Sequence, residues 1–182
     1  MKYVCVFLAD GFEEIEALTV VDVLRRAGVR VDTVSMGGSE MVQGAHWINV
    51  KADKVFEETS CARADMLVLP GGMPGTKNLQ KHRGLAELLR AQDEEGKWLA
   101  AICAAPSVLG GLGVLKGRKA CCYPSFEESL TGAEVVEEPA VVDGHVVTGR
   151  GMGTAVPFAL KLVEVLVGSE KAEQIKESIL FA

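Results

Sequence analysis

Trp98-Leu99-Ala100-Ala101-Ile102-Cys103-Ala104-Ala105-Pro106 is the stretch that decides the fold. Its first five residues are apolar with no polar face, which predicts a strand buried on both sides. The proline favours the first turn of a helix, and the small residues two positions before and after the cysteine fit a sharp strand-to-helix turn. The stretch therefore predicts an inner strand that turns directly into a helix, with a thiol at the turn.

The same alternation of short apolar runs and longer helical segments extends along the chain. The predicted strands are Tyr3–Ala9, Val29–Ser35, Met66–Leu69, Trp98–Ile102 and His145–Thr148. The predicted helices are Glu13–Ala27, Arg83–Glu95, Ala104–Leu112, Gly153–Val167 and Glu170–Leu180. Antiparallel hairpins are expected within Met41–Ala52 and within Glu134–Thr148, the latter around Asp143-Gly144. The pattern predicts one doubly wound α/β domain over residues 1–182, with a mostly parallel sheet.

The composition excludes several classes of protein. The 182 residues include 19 Lys and Arg against 25 Asp and Glu, so a dedicated nucleic-acid-binding surface is not expected. No apolar segment approaches the roughly 20 residues of a membrane span, and we expect a cytoplasmic protein. The five cysteines form no Cys-x-x-Cys pair and the three histidines are isolated, so we expect neither a disulfide framework nor a bound metal.

Two turns at the ends of predicted strands carry candidate chemistry, because ligands of open parallel sheets bind beyond the carboxyl ends of the strands. Helix dipole and free amides at the first turn should lower the pKa of the Cys103 thiol below its usual value of about 8.5. The alternative is a cysteine that packs as a small apolar side chain. At the second turn, the amides of Gly71-Gly72 could form an oxyanion hole with the amide of Ala104, or the glycines could serve only a tight turn.

Three acids, Glu13, Glu14 and Glu16, follow the first predicted strand. Acids at the start of a helix are ordinary partners of its dipole. An acid placed beside the thiol would have a raised pKa and could act as a general acid and base. Spacing alone leaves open which of the three does so.

A glycine-rich loop, Gly149-Arg150-Gly151-Met152-Gly153-Thr154, follows a strand and opens a helix, as dinucleotide-binding loops do. Its pattern is Gly-x-Gly-x-Gly, and no later strand supplies an acid for a ribose, so no NAD or flavin cofactor is expected. Arg150 is still a candidate for binding an anionic group.

Taken together, five stretches resemble the ThiJ/PfpI superfamily, most closely its DJ-one branch. They are Gly11–Glu16, Val21–Gly28, Val68–Gly72, Ala100–Pro106 and Arg150–Thr154. The resemblance implies a flavodoxin-like fold, a homodimer and no cofactor. It also implies that Cys103 is the reactive thiolate, that Glu16 is its protonated partner, and that Gly72 and Ala104 supply oxyanion amides.

The resemblance also implies two kinds of function. The first is glyoxalase-type hydration of methylglyoxal to lactate, or deglycation, in which early glyoxal adducts on side chains or nucleotides are hydrolysed. The substrate would then be a small aldehyde or a glycated side chain. Because the family's cysteine oxidises readily to a sulfinic acid, the second is a redox sensor or stress-response chaperone without significant turnover.

Two positions depart from the family pattern. A human member has a histidine where Tyr123 precedes Pro124 here, so a Cys-His-acid triad lacks its base. Proton transfer is then left mostly to Glu16, aided by the Tyr123 hydroxyl. His46 stands where the human member carries an arginine near the pocket, and it is either an auxiliary residue or an exposed loop residue. Outside the elbow, Cys61, Cys121 and Cys122 are expected to be packing or surface residues.

Overall fold

The computed structural model describes all residues from 1 to 182. Its strands are β1 (Tyr3–Leu8), β2 (Arg30–Ser35), β3 (Met41–Gln43), β4 (Asn49–Lys51), β5 (Lys54–Val55), β6 (Met66–Leu69), β7 (Trp98–Ile102), β8 (Lys119–Ala120), β9 (Glu134–Val135), β10 (Ala140–Asp143) and β11 (Val146–Gly149). Its helices are α1 (Glu14–Arg26), α2 (Gly75–Lys81), α3 (Arg83–Glu94), α4 (Pro106–Gly111), α5 (Ala155–Val167) and α6 (Ser169–Ser178). None of these helices is long and apolar enough to cross a membrane.

A seven-stranded sheet in the order β10-β11-β7-β6-β1-β2-β5 forms the centre of the molecule. All neighbouring strands in it are parallel except β10, which runs antiparallel to β11. Helices cover both faces, so the predicted doubly wound, mostly parallel α/β fold is confirmed.

The side chains of the inner strands alternate between two apolar layers, as the two-residue period of a strand requires. In β1, Val4 and Val6 enter the layer under α1 and α5, whereas Cys5 and Phe7 enter the layer under α2, α3 and α4. Because each inner strand is buried on both faces, its sequence shows no polar period, which is the pattern that identified Trp98–Ile102 as a strand.

The predicted helices and inner strands all form, with ends that differ from the predicted ones by no more than two residues. The sequence did not predict α2, which begins with Gly75 and carries Leu79 as its one large apolar residue. Both expected hairpins are present as β3–β4 and β10–β11. The second is shorter than predicted, because Glu134–Val135 pairs in parallel with β8 instead of joining it.

The order of the strands fixes where a ligand can bind. The chain passes from β1 to β2 on one side, and β6 then adds to the other side of β1. Such a reversal leaves a crevice beyond the carboxyl ends of the two strands. The residues that follow β1, β6 and the neighbouring β7 therefore meet at one edge of the sheet.

Candidate active site

Cys103 occupies a sharp elbow between β7 and α4. Its backbone φ is 65°, a left-handed conformation that residues with a side chain rarely adopt. The Cys103 N–H donates to the carbonyl of Gly149 at 3.0 Å, and its carbonyl accepts from the Tyr123 N–H at 2.8 Å. Two neighbouring segments thus hold the strained residue in place, and its side chain is half-buried rather than sealed in the core.

Glu16 is the acid that meets the thiol. It lies in the first turn of α1 and is completely buried, and its carboxyl group lies beside Cys103, where it acts on the pKa of the thiol. Its Oε1 has no hydrogen-bond partner. Its Oε2 accepts the Gly71 N–H at 2.9 Å. A Cβ on Gly71 would lie 2.7 Å from both the Cys103 Cβ and this oxygen, so only glycine fits between the two groups. The structure thus shows a role for Gly71 that the sequence did not distinguish from that of Gly72.

The electrostatics of this pair confirm one expectation and overturn another. Burial raises the pKa of Glu16 to about 7, with a contribution from the charge of Glu13, while hydrogen bonds from Cys103 and the Gly71 amide act against the rise. Burial also raises the pKa of the Cys103 thiol to about 12, and the charge and hydrogen bond of Glu16 add to this. The expected lowering of the thiol pKa is therefore wrong. Since α4 has only six residues, its dipole is too short to offset the burial of the thiol and the charge of the Glu16 carboxylate together.

The two candidate oxyanion amides both reach the thiol. Hydrogen bonds from the backbone of Ala104 and of Gly72 act to lower its pKa, although they do not outweigh burial. Gly72 has φ 91°, and a Cβ there would clash with the Glu13 backbone nitrogen, so a glycine is needed to present this amide. The turn after β6 and the elbow after β7 thus direct two N–H groups at one sulfur atom.

Tyr123 and Arg150 lie beside this centre rather than in it. Tyr123 reaches Cys103 through its backbone, while its half-exposed ring lies against Gly151. Arg150 approaches Glu137, with 3.6 Å between its Nη2 and the Oε2 of that residue. Both residues line a shallow cleft of about 370 Å³ that continues to Met152. Neither Cys103 nor Glu16 lines this cleft.

His46 lies on the turn between β3 and β4, is largely exposed, and pairs with acids other than Glu16. Its Nδ1 is 3.0 Å from the Glu14 Oε2 and 3.5 Å from the Glu13 Oε2, and its backbone N–H donates to Glu14 at 2.8 Å. The hydrogen bond with Glu14 raises the pKa of His46. Although burial opposes it, the hydrogen bonds from His46 lower the pKa of Glu14. His46 therefore fastens the hairpin to the start of α1.

The ligand atoms of Glu13, Glu14 and His46 lie within 4.8 Å of one another, a spacing compatible with a metal ion. A cation there would have to replace the hydrogen bond between His46 and Glu14 and would face the positive end of α1. The largest cavity, about 620 Å³, lies elsewhere, between α1, α5 and the C-terminal residues up to Phe181. Neither feature includes Cys103.

The other four cysteines are free and buried. For Cys61, Cys121 and Cys122 this agrees with the expectation of packing residues, and none of them lies at an elbow. The distinction between Cys103 and the rest thus comes from backbone geometry and from its acidic neighbour.

Comparison with known proteins agrees with this arrangement. The model of the DJ-1/PfpI family matches residues 2–165. Protein dj-1beta of Drosophila melanogaster is 38% identical, over 100% of this chain and 98% of the relative. A Caenorhabditis elegans relative named glutathione-independent glyoxalase DJR-1.2 is 33% identical, over 95% of this chain and 92% of its own length. The chain spans less than half the length of a DJ-1 homologue of Arabidopsis thaliana, at 46% of that protein.

The structural comparison gives the same result. Oxidized DJ-1 of Toxoplasma gondii superposes with a TM-score of 0.95 and 37% identity, covering 100% of both chains. Sequence and structure match over nearly the whole length of the chain. The chain belongs to the DJ-1/PfpI family.

Proposed function

We propose that this protein is a cofactor-independent enzyme that converts reactive 2-oxoaldehydes into 2-hydroxy acids, with methylglyoxal and lactate as the test pair. The observation that carries the proposal is the convergence of the Glu16 carboxyl and the amides of Gly72 and Ala104 on the Cys103 sulfur. A nucleophile, an acid–base group and two oxyanion donors then act on the same carbon atom.

The first step follows from the pKa values of the pair. With a pKa of about 7, Glu16 is present as carboxylate and as acid in comparable amounts at neutral pH. The thiol is protonated under these conditions, since its pKa is about 12. Glu16 therefore removes the thiol proton as the sulfur attacks the aldehyde carbon, and the Gly72 and Ala104 amides stabilise the developing oxyanion. Glu16 then gives this proton to the oxyanion, which yields a hemithioacetal and restores the carboxylate for the next step.

The second step moves a proton along the substrate. Glu16 removes the proton from C1 of the hemithioacetal and returns one to C2, which converts the hydroxy-ketone into a 2-hydroxy thioester. Water then cleaves the bond between carbon and sulfur, releasing the 2-hydroxy acid and the free thiol. No electrons leave the substrate, because oxidation at C1 equals reduction at C2, so the reaction needs no redox cofactor.

The same chemistry extends to early adducts of 2-oxoaldehydes on proteins or nucleotides, which is the deglycase form of the proposal. The cleft at Tyr123 and Arg150 opens to solvent and would admit a substrate attached to a larger molecule. The free cysteines favour a reducing, cytoplasmic setting.

The homodimer is part of the proposal as well. Large apolar side chains are exposed near the start of α1 and on the β3–β4 hairpin, including Ile15 at 50%, Ile48 at 53% and Trp47 at 79%. A second copy of the chain that covered this surface would remove it from water.

The test is consumption of methylglyoxal with formation of lactate by the pure protein. We expect turnover in the wild type, none in Cys103→Ala, and a loss of about 10²- to 10⁴-fold in Glu16→Gln. Tyr123→Phe should keep most of the activity, because Glu16 alone moves the protons. Lactate formation that survives Cys103→Ala would refute the mechanism.

A redox sensor is the second candidate, because the half-buried thiol lies beside a carboxyl group and two backbone amides. Oxidation by peroxide needs the thiolate as much as attack on an aldehyde does, so the raised pKa of the thiol does not distinguish the two functions. The amides and the Glu16 carboxyl could hold the oxygens of a sulfinic acid. Mass spectrometry after mild peroxide distinguishes the two functions. Selective addition of two oxygens at Cys103, together with negligible aldehyde turnover, would favour the sensor.

A further inference from the structure

Two further cysteines lie close together on one face of the sheet. The apolar layer that packs against Cys103 covers the opposite face. Cys5 projects from β1 into the layer under α2, α3 and α4, and Cys61, in the connection before β6, enters the same layer. Their exposed fractions are 0% and 4%, and both thiols are free. The two side chains belong to one buried cluster, and each thiol acts directly on the pKa of the other. They are separated by 55 residues in sequence and brought together by the fold.

A chain of polar groups links this pair to the surface. The Cys5 thiol donates to the Tyr3 hydroxyl at 3.2 Å, and that hydroxyl donates to the Asp32 carboxylate at 3.0 Å. The Arg30 guanidinium contacts the same carboxylate at 3.0 Å and lies over the Tyr3 ring. The rest of the layer around the pair is hydrocarbon, so this route gives the thiols a path for protons that simple packing does not require.

The two thiols are not equivalent. The hydrogen bond from Cys61 lowers the pKa of Cys5 against the effect of burial, and the Tyr3 hydroxyl adds to the lowering. The same hydrogen bond raises the pKa of Cys61. When Cys5 ionises, Cys61 donates to its sulfur, and the Tyr3 hydroxyl does so by turning its proton from Asp32 to the thiolate. One thiol is thus prepared to react as a thiolate, with the other held against it.

We propose that Cys5 and Cys61 form a reversible redox site in which a hydroperoxide drives disulfide formation. The Cys5 thiolate attacks one peroxide oxygen, the O–O bond breaks, and the other oxygen leaves as hydroxide, giving a sulfenic acid. The Cys61 sulfur then attacks the Cys5 sulfur, and the hydroxyl leaves as water with the Cys61 proton. In total, two thiols and one hydrogen peroxide give a disulfide and two waters; with an alkyl hydroperoxide an alkoxide leaves in place of hydroxide, and an alcohol replaces the second water.

Access to this site comes through the connection that carries Cys61. Its neighbours Ala62 and Arg63 are exposed, so Cys61 lies one residue layer below the surface. A local opening of this segment admits a molecule the size of a peroxide without unfolding of the sheet. The oxidation product of the Cys5–Cys61 pair differs from the oxidation product of Cys103. The neighbour of Cys103 is a carboxyl group, and no second thiol lies beside it. Oxidation there adds oxygen, whereas oxidation at the pair removes two hydrogens.

The experiment uses Cys103→Ala, so that the reaction at the elbow does not contribute. The folded protein is treated with graded hydrogen peroxide, quenched with catalase, denatured in acid with a maleimide and digested with trypsin. Trypsin places the cysteines in three different peptides: Cys5 lies in Tyr3–Arg25, Cys61 lies in Val55–Arg63, and Cys121 and Cys122 lie in Ala120–Arg150. We expect a linked pair of the first two peptides, released by dithiothreitol, and a rise in melting temperature before reduction.

Two variants in the same background test the assignment. Adding Cys61→Ala should abolish the linked peptides, and adding Cys122→Ala, which removes another buried cysteine, should leave their yield unchanged. The same linked peptides should form in the wild type, which tests the inference even if a variant folds poorly. Two results would overturn the proposal. One is addition of oxygen to Cys5 without a disulfide to Cys61. The other is that Cys5 and Cys61 are both still alkylated at the peroxide dose that oxidises half of Cys103 in the wild type.

Discussion

Replacing Glu16 by glutamine should make the Cys103 thiol more acidic, not less. The thiol pKa of about 12 has burial as its first cause and the charge and hydrogen bond of Glu16 as the next ones. Glutamine keeps the burial and removes the charge, while the amides of Ala104 and Gly72 still favour the thiolate. A charge in contact changes a neighbouring pKa by about 1–3. The fraction of thiolate at a fixed alkaline pH should therefore rise at least about tenfold.

The effect should depend on pH in a way that identifies its cause. Since the pKa of Glu16 is about 7, the wild-type carboxyl is mostly neutral at pH 6 and ionised at pH 9. At pH 6 the wild type and Glu16→Gln should react with iodoacetamide at similar rates. Their rates should separate above pH 7, with the variant faster. The assay follows alkylation of the tryptic peptide Trp98–Lys116, which contains only this cysteine.

Glu14→Gln is the matched control for this experiment. Glu14 lies in the same turn of α1 and is also buried, but its carboxylate meets His46 instead of the thiol. It should leave the alkylation profile of Cys103 unchanged. The reasoning would be refuted if Glu16→Gln reacted at pH 9 at the wild-type rate or more slowly. Glu16 would then not suppress the thiolate, and its proposed role as the base that takes the thiol proton would fail.

Three further outcomes follow from the geometry. Gly71→Ala should abolish aldehyde turnover and lower stability by about 1–3 kcal/mol, because the new Cβ would lie 2.7 Å from the Cβ of Cys103. As the control, Gly111→Ala places a Cβ in open space and should be neutral or stabilising in thermal denaturation. In an NMR titration, the raised pKa of His46 should return toward its ordinary value in Glu14→Gln. In the wild type, the pair of Glu14 and His46 should stabilise the fold most between the ordinary pKa values of glutamate and histidine. Its contribution is lost as pH falls through the lowered pKa of Glu14, and also as pH rises through the raised pKa of His46. Leu18→Glu, on the exposed side of α1 that also carries Ile15, should shift the sedimentation coefficient from that of the proposed homodimer toward that of a monomer.

The sequence predicted the elements with strong apolar patterns and not those held by tertiary contacts. Trp98–Ile102 was predicted to the residue, because a strand buried on both faces has a continuous apolar run with a sharp end. The helix Gly75–Lys81 was missed, because its one apolar anchor gives no helical period and its first residue disfavours a helix. Its position depends on packing against α3 and α4, which a local pattern does not report.

The candidate site shows the same limit at the level of side chains. The elbow at Cys103 and the Gly71-Gly72 turn were visible as strand ends. From residue patterns alone, Glu13, Glu14 and Glu16 were equivalent, because the direction of each side chain depends on how α1 packs on the sheet. Resemblance to the family selected Glu16, and the structure places that residue at the thiol. The roles of Gly71 and of the pairing between Glu14 and His46 had no signal in the chain itself.

The raised pKa of the Cys103 thiol, in place of the expected lowered one, is compatible with both proposed functions, aldehyde turnover and peroxide sensing. A helix dipole acts through about half a charge at the end of a turn, whereas Glu16 presents a whole charge in contact with the sulfur. The thiol therefore stays protected until a carbonyl carbon or a peroxide oxygen arrives and Glu16 accepts its proton. Cys5 has the opposite arrangement, because hydrogen bonding with Cys61 and Tyr3 lowers the pKa of its thiol, and the Asp32 carboxylate opposes this only through its charge. Two cysteines in one fold thus differ in acidity because one faces a base and the other faces donors. It follows that exchanging acceptor for donor beside Cys103, as in Glu16→Gln, should increase its rate of alkylation while reducing its rate of aldehyde turnover.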